Sequence, residues 1–144
     1  MAEQSFQNHT KWYPPFHFFV MPVFVTNFVW SIFRWRAAEY SVGAFESMVM
    51  ALALVVFMFT ARLMVLKVQD RVIRLEERWR CERLLPADLR PRIGEFTTGQ
   101  LVALRFASDA ELPGLARKVL DEKLTERKAI KQLVKNWRAD YLRA

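Results

Sequence analysis

Residues 43–86 read GAFESMVMALALVVFMFTARLMVLKVQDRVIRLEERWRCERLLP, and neither glycine nor proline occurs between Gly43 and Pro86. Because these two residues most often end a helix, the stretch predicts one helix of about 40 residues, roughly 60 Å long. Its apolar first part, as far as Leu66, matches the roughly 30 Å of a bilayer's hydrocarbon core. Residues 67–85 are amphipathic, and we expect them to continue the helix into the cytoplasm.

A second apolar run lies upstream, from about residue 14 to Phe33. Pro14 and Pro15 suit its first turn, and Pro22 predicts a kink within it. Two such runs predict a transmembrane hairpin over residues 1–66, with spans at about 14–33 and 44–66. The alternative is a soluble protein with two buried helices, but a chain of 144 residues could hardly shield both.

Charge is distributed unevenly along the chain. Residues 1–66 contain four Lys or Arg and three acids, whereas residues 67–144 contain eighteen and twelve, so the net +7 divides into +1 and +6. Cytoplasmic flanks of transmembrane helices carry an excess of Lys and Arg, so both termini are predicted to be cytoplasmic. Arg34 and Arg36, in the loop between the spans, argue against this orientation.

The predicted fold is all-α, and residues 86–144 form a small basic module of three short helices. Thr97 or Thr98 starts the first helix, Ser108 or Leu112 the second, and Thr125 the third. The third is expected to continue through Ile130, Leu133, Val134 and Trp137. About 60 residues make a marginal core, so the module is expected to lean on the long helix or on the membrane surface.

Two contacts are expected inside the hairpin. Small residues four positions apart let helices approach closely, and an amide in a span hydrogen-bonds a neighbouring helix. The candidate helix-packing residues are Asn27, Gly43, Ser47 and Ala51. If the loop midpoint is near Tyr40, Arg34 and Glu46 lie at the same depth, which predicts an ion pair at the outer edge.

An apolar seam follows the long helix at steps of three and four residues. Its members are Val65, Val68, Val72, Leu75 and Trp79. A narrow seam indicates contact between helices, either with the tail helices of the same chain or with a partner helix. We favour the tail helices, because the module is too small to stand alone. Two heptads are too short to drive self-association by themselves.

Basic residues form two stripes at helical spacing. The stripe on the long helix is Lys67, Arg71, Arg74 and Arg78, and the stripe on the third tail helix is Lys128, Lys131, Lys135 and Arg138. Such stripes are often simply solvated. The sharper interpretation is contact with anionic lipid headgroups. A nucleic acid is a further option, but no base-reading motif favours it.

No catalytic, cofactor or metal site is predicted. The chain has two histidines, His9 and His17, and one cysteine, Cys81, and it lacks a glycine-rich phosphate loop and His/Glu metal spacing. We therefore expect a non-enzymatic accessory or scaffold subunit that presents the module to a protein partner or to a second copy of itself. The alternative is a lipid-regulated or redox membrane protein that uses His17 to bind a quinone.

Four tail motifs carry a resemblance: KVQDRVIRLEER at residues 67–78, ALRFASD at 103–109, KAIK at 128–131 and WRAD at 137–140. Together with Asn8-His9 before the first span, they resemble the signature of an uncharacterised family of small bacterial two-span proteins. The resemblance covers nearly the whole chain and implies a bacterial inner-membrane protein with a helical cytoplasmic tail. That family has no assigned activity, so the resemblance implies no catalytic residue.

Overall fold

A computed structural model describes residues 5–8 and 12–141, and within them the regular structure is helical apart from one isolated bridge. The elements are a π-helix at Pro15–Val20, α1 at Met21–Ala37, α2 at Val42–Leu84, a 3-10 helix at Arg90–Glu95, α3 at Thr98–Leu104, α4 at Leu112–Asp121 and α5 at Arg127–Gln132. The chain divides into two units, of which one is Lys11–Leu66 and the other contains Lys67–Ala144. His9, one of the residues of the resemblance, lies outside the described residues.

The distortion predicted at Pro22 takes the form of a π-helical turn before it. The Met21 amide donates to the carbonyl of Phe16, five residues back, and Pro22 then enters the first turn of α1. Proline has no amide to donate, and the wider turn accommodates that loss. The helix continues beyond the predicted Phe33 to Ala37, where Glu39 and Tyr40 turn the chain with positive φ angles of 49° and 64°.

Helix α2 is unbroken over 43 residues, as the absence of glycine and proline between Gly43 and Pro86 predicts, and is about 64 Å long. Both Pro15–Ala37 and Val42–Leu84 are long and apolar enough to cross a membrane. Few residues of their most apolar stretches are buried within the chain.

In the unit Lys11–Leu66, the buried and half-buried residues recur every three or four positions. On α2 they include Ala44, Met48, Ala51, Val55 and Met58. Near one end, the Arg62 guanidinium lies 5.5 Å from the centroid of the Phe16 ring. Near the other, the rings of Trp35 and Phe45 are 5.4 Å apart. Arg62 and Phe45 of α2 thus each contact an aromatic residue of the first apolar helix.

Two predicted contacts in this unit are not formed. Ala51 is buried, but Gly43, Ser47 and Asn27 are exposed, and the Ser47 hydroxyl donates to the Gly43 carbonyl of its own helix. The predicted small face is therefore displaced from the inward stripe, which Met48 and Val55 occupy together with Ala51.

The predicted ion pair at the outer edge is the second. Within the described residues, no ion pair joins Arg34 to Glu46, and both side chains are exposed. Two residues at the same depth in a hairpin can still point in different directions around their helices. The inward positions nearest in sequence are Trp35 on α1, and Ala44 and Met48 on α2.

The second unit has a compact core formed by the end of α2 and the helices that follow it. Its largest fully buried side chains include Phe106, Leu85, Leu89, Leu101 and Leu104. Of the two predicted starts, Thr97 caps α3: its hydroxyl accepts from the backbone amide of Gln100, and the Gln100 side chain accepts from the Thr97 amide.

Helix α4 begins at Leu112 with Pro113 in its first turn, so the alternative start at Ser108 is wrong. A capping box would need the Glu111 carboxylate to reach back to Ser108. That carboxylate instead accepts from the backbone amides of Lys135 and Asn136, at 2.8 and 2.9 Å.

Candidate functional site: two faces of helix α2

The docked face of α2 consists of Ile73, Glu77 and Cys81, which are spaced four residues apart. Their exposed fractions are 6%, 4% and 0%. Residues four apart lie on one side of a helix, so this side is covered along about two turns. Cys81 belongs to the same hydrophobic core as Leu101 and Leu104 of α3. The module therefore packs against the last part of α2.

A charged cluster of Glu77, Arg80, Asp109 and Arg138 fixes this contact. Arg80 Nη1 lies 3.0 Å from Glu77 Oε2, and Arg80 Nη2 donates to the Ala107 carbonyl at 2.7 Å and to Asp109 Oδ1 at 2.6 Å. Arg138 Nη1 is 3.4 Å from the other Glu77 oxygen. The buried carboxylate is thus paired from two sides, as burial of a charge requires.

Burial also changes the acidity of the two titratable groups on the docked face. Desolvation raises the pKa of the Glu77 carboxyl above its ordinary value of 4.5, although Arg80 and Arg138 act in the opposite direction. Desolvation, with the nearby Glu77 charge, raises the pKa of the Cys81 thiol to about 11. A thiol protonated at neutral pH is a poor nucleophile, so Cys81 has the character of a core residue.

A second group of contacts surrounds Phe106. Its ring stacks on Trp137, with centroids 4.5 Å apart, and the Arg105 guanidinium lies 4.3 Å and the Lys131 ammonium 5.1 Å from its centroid. Arg105 also donates from Nε to Asp140 Oδ2 at 2.9 Å. Contacts between a cation and a desolvated aromatic ring can reach about 2 kcal/mol.

The segment after α5 is not helical, which corrects the predicted third helix. Helix α5 ends at Gln132, Ala107 and Trp137 form an antiparallel bridge, and the Arg138 amide donates to the Phe106 carbonyl at 2.7 Å. The apolar spacing up to Trp137 suits a helix, but the backbone of the ALRFASD segment supplies hydrogen bonds that an isolated helix would have to make internally.

The basic stripe predicted on that helix therefore does not exist as one face. Lys128 and Lys131 belong to α5, but Lys135 and Arg138 follow its end. Lys131 lies against the Phe106 ring and Arg138 pairs with Glu77. Two of the four predicted lipid contacts are thus engaged within the module.

On α2, the other basic stripe is divided between solvent and protein. Lys67 and Arg71 are exposed, whereas Arg74 and Arg78 are half-buried. The Nε atoms of Arg74 and Arg78 are shielded, with no hydrogen-bond partner in the part of the chain that the structure describes. Contact with anionic lipid stays a prediction for this stripe.

The apolar seam of α2 is exposed, so the prediction that it docks the tail of the same chain is wrong. The exposed fractions of Val65, Val68, Val72, Leu75 and Trp79 range from 48% to 67%. The tail does dock on α2, but on the face of Ile73, Glu77 and Cys81. The docked face lies about 160° from the seam, taking about 100° per residue. Which face of α2 the tail covers therefore depends on ion pairs with distant residues as well as on apolar content.

His17 has structural partners on its own helix and in the residues just before it. Its Nδ1 lies 3.0 Å from the Tyr13 carbonyl oxygen and 3.1 Å from the Tyr13 amide nitrogen, and its ring meets those of Trp12 and Phe16 edge to face. Among the described residues, no group of His, Cys, Asp and Glu is arranged to hold a metal ion. A quinone-binding role for His17 stays an untested alternative.

The four tail motifs meet in the second unit. Glu77 comes from the first motif, Phe106 and Asp109 from the second, Lys131 from the third and Arg138 from the fourth. The spacing of apolar residues did not reveal the docked face, because Glu77 interrupts it between Ile73 and Cys81. The sequence sign of this face is that Ile73 and Glu77 lie within a motif of the resemblance and Cys81 lies just after it.

These features define an all-helical protein in which two long apolar helices are joined to a helical module held by a buried ion-pair cluster. The chain belongs to DUF6526, a family of unknown function, whose model matches residues 1–144. No curated protein and no solved structure matches the chain.

Proposed function

We propose that the protein is a membrane-anchored, non-enzymatic scaffold, in which α1 and α2 cross a bacterial inner membrane and α2 carries the module on its cytoplasmic side. The observation that carries this proposal is the continuity of α2. One helix contains an apolar stretch of spanning length and the docked face that holds the module. A helix that is continuous in this way joins the module directly to its anchor in the chain.

Exposure supports the membrane anchor. Core helices of soluble proteins are buried, whereas the apolar parts of these two helices are mostly exposed. Trp12, Tyr13, Trp30 and Tyr40 are also exposed and lie near the ends of the apolar stretches, where aromatic belts occur. The contacts of Arg62 with Phe16 and of Trp35 with Phe45 support an antiparallel hairpin.

The basic flank of the second span supports cytoplasmic termini. Lys67 and Arg71 follow the apolar stretch directly and are exposed, so they are placed to meet anionic headgroups at roughly 1 kcal/mol each. The loop arginines, Arg34 and Arg36, are accompanied by Glu39. The charged cluster is engaged inside the module, whereas the apolar seam of α2 is exposed and can receive a partner protein.

Reporter fusions and purification test this proposal. A reporter inserted at Tyr40 should report the periplasm and one at the C-terminus the cytoplasm, and a cytoplasmic signal at Tyr40 would refute the topology. Purification in mild detergent should recover the chain in a protein assembly without a bound chromophore. A monomer with a stoichiometric quinone or haem would support the His17 alternative instead, and co-purifying nucleic acid would support a membrane-tethered binder.

A further inference from the structure

We propose that the apolar seam of α2 pairs with the same seam of a second copy of this chain, as a parallel, in-register coiled coil. This inference rests on the proposed function, because copies inserted in one membrane orientation present their α2 helices parallel and at the same height. It goes further in naming the occupant of the exposed face and the register of the contact.

The spacing of the seam is that of a two-stranded coiled coil. Val65, Val72 and Trp79 take the a positions of a heptad, and Val68 and Leu75 take the d positions. β-Branched residues at a with leucine at d favour parallel dimers. In this numbering Glu77 lies at position f, on the outer side, and Ile73 and Cys81 lie at b and c. The docked module therefore leaves the a and d side open.

Charges beside the seam select the parallel arrangement. A parallel pair sets position g of one helix against position e of the next heptad in the other, which here joins Arg71 to Glu76 of the second copy, twice by symmetry. Both side chains are exposed, and neither forms an ion pair within the described part of the chain. An antiparallel pair would bring g positions together, and these are arginines, Arg71 and Arg78.

The same charges limit the seam to two heptads. The following g and e positions, Arg78 and Arg83, would repel each other, and Glu82 takes the next d position. A free helix this short is marginal. Here the module already holds α2 in helical form through its docked face, and confinement to one membrane raises the effective concentration of the second helix.

Lipid is a poor occupant of the cytoplasmic end of the seam. Trp79 follows Leu66 by 13 positions in an unbroken helix, which is about 20 Å along the axis. A helix that spans the bilayer with its apolar stretch carries Trp79 well beyond the hydrocarbon core, yet 67% of this residue is exposed. A protein helix is the partner that its position allows.

Cysteine crosslinking in isolated membranes tests the register. Val68→Cys and Leu75→Cys should each form a disulfide-linked homodimer with a copper–phenanthroline oxidant. Lys67→Cys, exposed and at position c on the other side, is the matched control, and the unsubstituted chain with its buried Cys81 gives the background. Because two positions that each crosslink to themselves require parallel, in-register helices, this result would establish the contact.

Charge reversal gives a second readout that does not depend on the introduced thiols. In the Leu75→Cys background, Arg71→Glu should reduce the crosslinked fraction several-fold, and adding Glu76→Arg should restore it. Failure of the restoration would overturn the assigned charge pairing. Unchanged resistance of the tail to protease in each variant would show that the module still docks.

Three outcomes would overturn the dimer. Equal yields at positions 67, 68 and 75 would mean random collision, and crosslinking at only one seam position would mean a different register. Capture of a protein of another mass at position 75 would assign the seam to a different partner. Chain found in membranes without a crosslink refutes only the dimer, whereas chain missing from the membrane fraction refutes the proposed function as well.

Discussion

Arg80 on α2 donates to the Asp109 carboxylate, 29 residues further along the chain, from Nε at 2.9 Å and from Nη2 at 2.6 Å. The two partners differ in environment, because the side chain of Arg80 is 10% exposed and that of Asp109 is 67% exposed. The same guanidinium also pairs with Glu77 and caps the Ala107 carbonyl. Arg80 thus links a buried carboxylate to the turn that precedes α4.

We expect Arg80→Ala to loosen the module strongly and Asp109→Ala to have little effect. The first change deprives buried Glu77 of its nearer cation, and breaking a buried pair typically costs about 3–5 kcal/mol. The second removes an exposed partner, at a cost of at most about 1 kcal/mol. Proteolysis of the full chain in detergent micelles, with cleavage sites mapped beyond residue 85, measures both. Equal protection of the two variants would contradict this assignment.

The two faces of α2 are distinguished by a pair of matched substitutions two residues apart. Ile73→Asp places an unpaired carboxylate on the docked face beside Glu77 and should expose the tail to protease, with a loss of several kcal/mol. Leu75→Asp, on the exposed seam, should change module stability by no more than about 0.5 kcal/mol. Rapid proteolysis of the tail in the Leu75→Asp variant would show that the seam, and not Ile73, supports docking.

The raised pKa of Glu77 predicts an unusual dependence of stability on pH. The native state holds the proton more tightly than the unfolded state, so this group's contribution is complete below its ordinary pKa of 4.5 and is lost as pH rises through the native pKa. Glu77→Gln should remove that loss. The pairing with Arg117 lowers the pKa of Asp88 from its ordinary 3.8, so the contribution of Asp88 to stability is lost only as pH falls below that value. The two effects therefore occur in separate pH ranges.

Protease protection measured against pH, above pH 4.5, tests this prediction. Glu76→Gln, at the neighbouring exposed position, is the control and should keep the dependence of the unsubstituted chain. If Glu77→Gln and the unsubstituted chain lose protection in parallel as pH rises, the source of the pH dependence is another group.

Cys81 should resist alkylation in the folded chain. It is fully buried, so reagents do not reach it, and its pKa is raised to about 11, so little of the thiol is ionised at pH 8. Maleimide should label it only after denaturation, whereas Lys67→Cys, at an exposed position of the same helix outside the seam, should add one rapidly labelled thiol. Labelling of the unsubstituted chain at the rate of that variant would refute burial of Cys81.

Local sequence signals predicted the elements whose ends depend on local chemistry. Helix α2 runs to Leu84 because nothing from Ala44 to Leu85 breaks a helix, and α3 begins beside Thr97 because its cap is complete within four residues. The third tail helix was predicted too long for the opposite reason. Its apolar spacing extends to Trp137. However, Trp137 forms a bridge with Ala107, about 30 residues away, and the spacing of apolar residues within one segment does not reveal so distant a partner.

The sequence by itself determined that two long apolar helices, the second continuing as an amphipathic helix, precede a basic helical tail. Tertiary structure alone decided which side of that helix the tail covers. Apolar spacing selected Val68, Val72 and Leu75, yet Ile73, Glu77 and Cys81 are covered. A buried glutamate is acceptable only where cations meet it, and Arg138 reaches Glu77 across 61 positions of the chain. Folding therefore left the more regular apolar seam exposed.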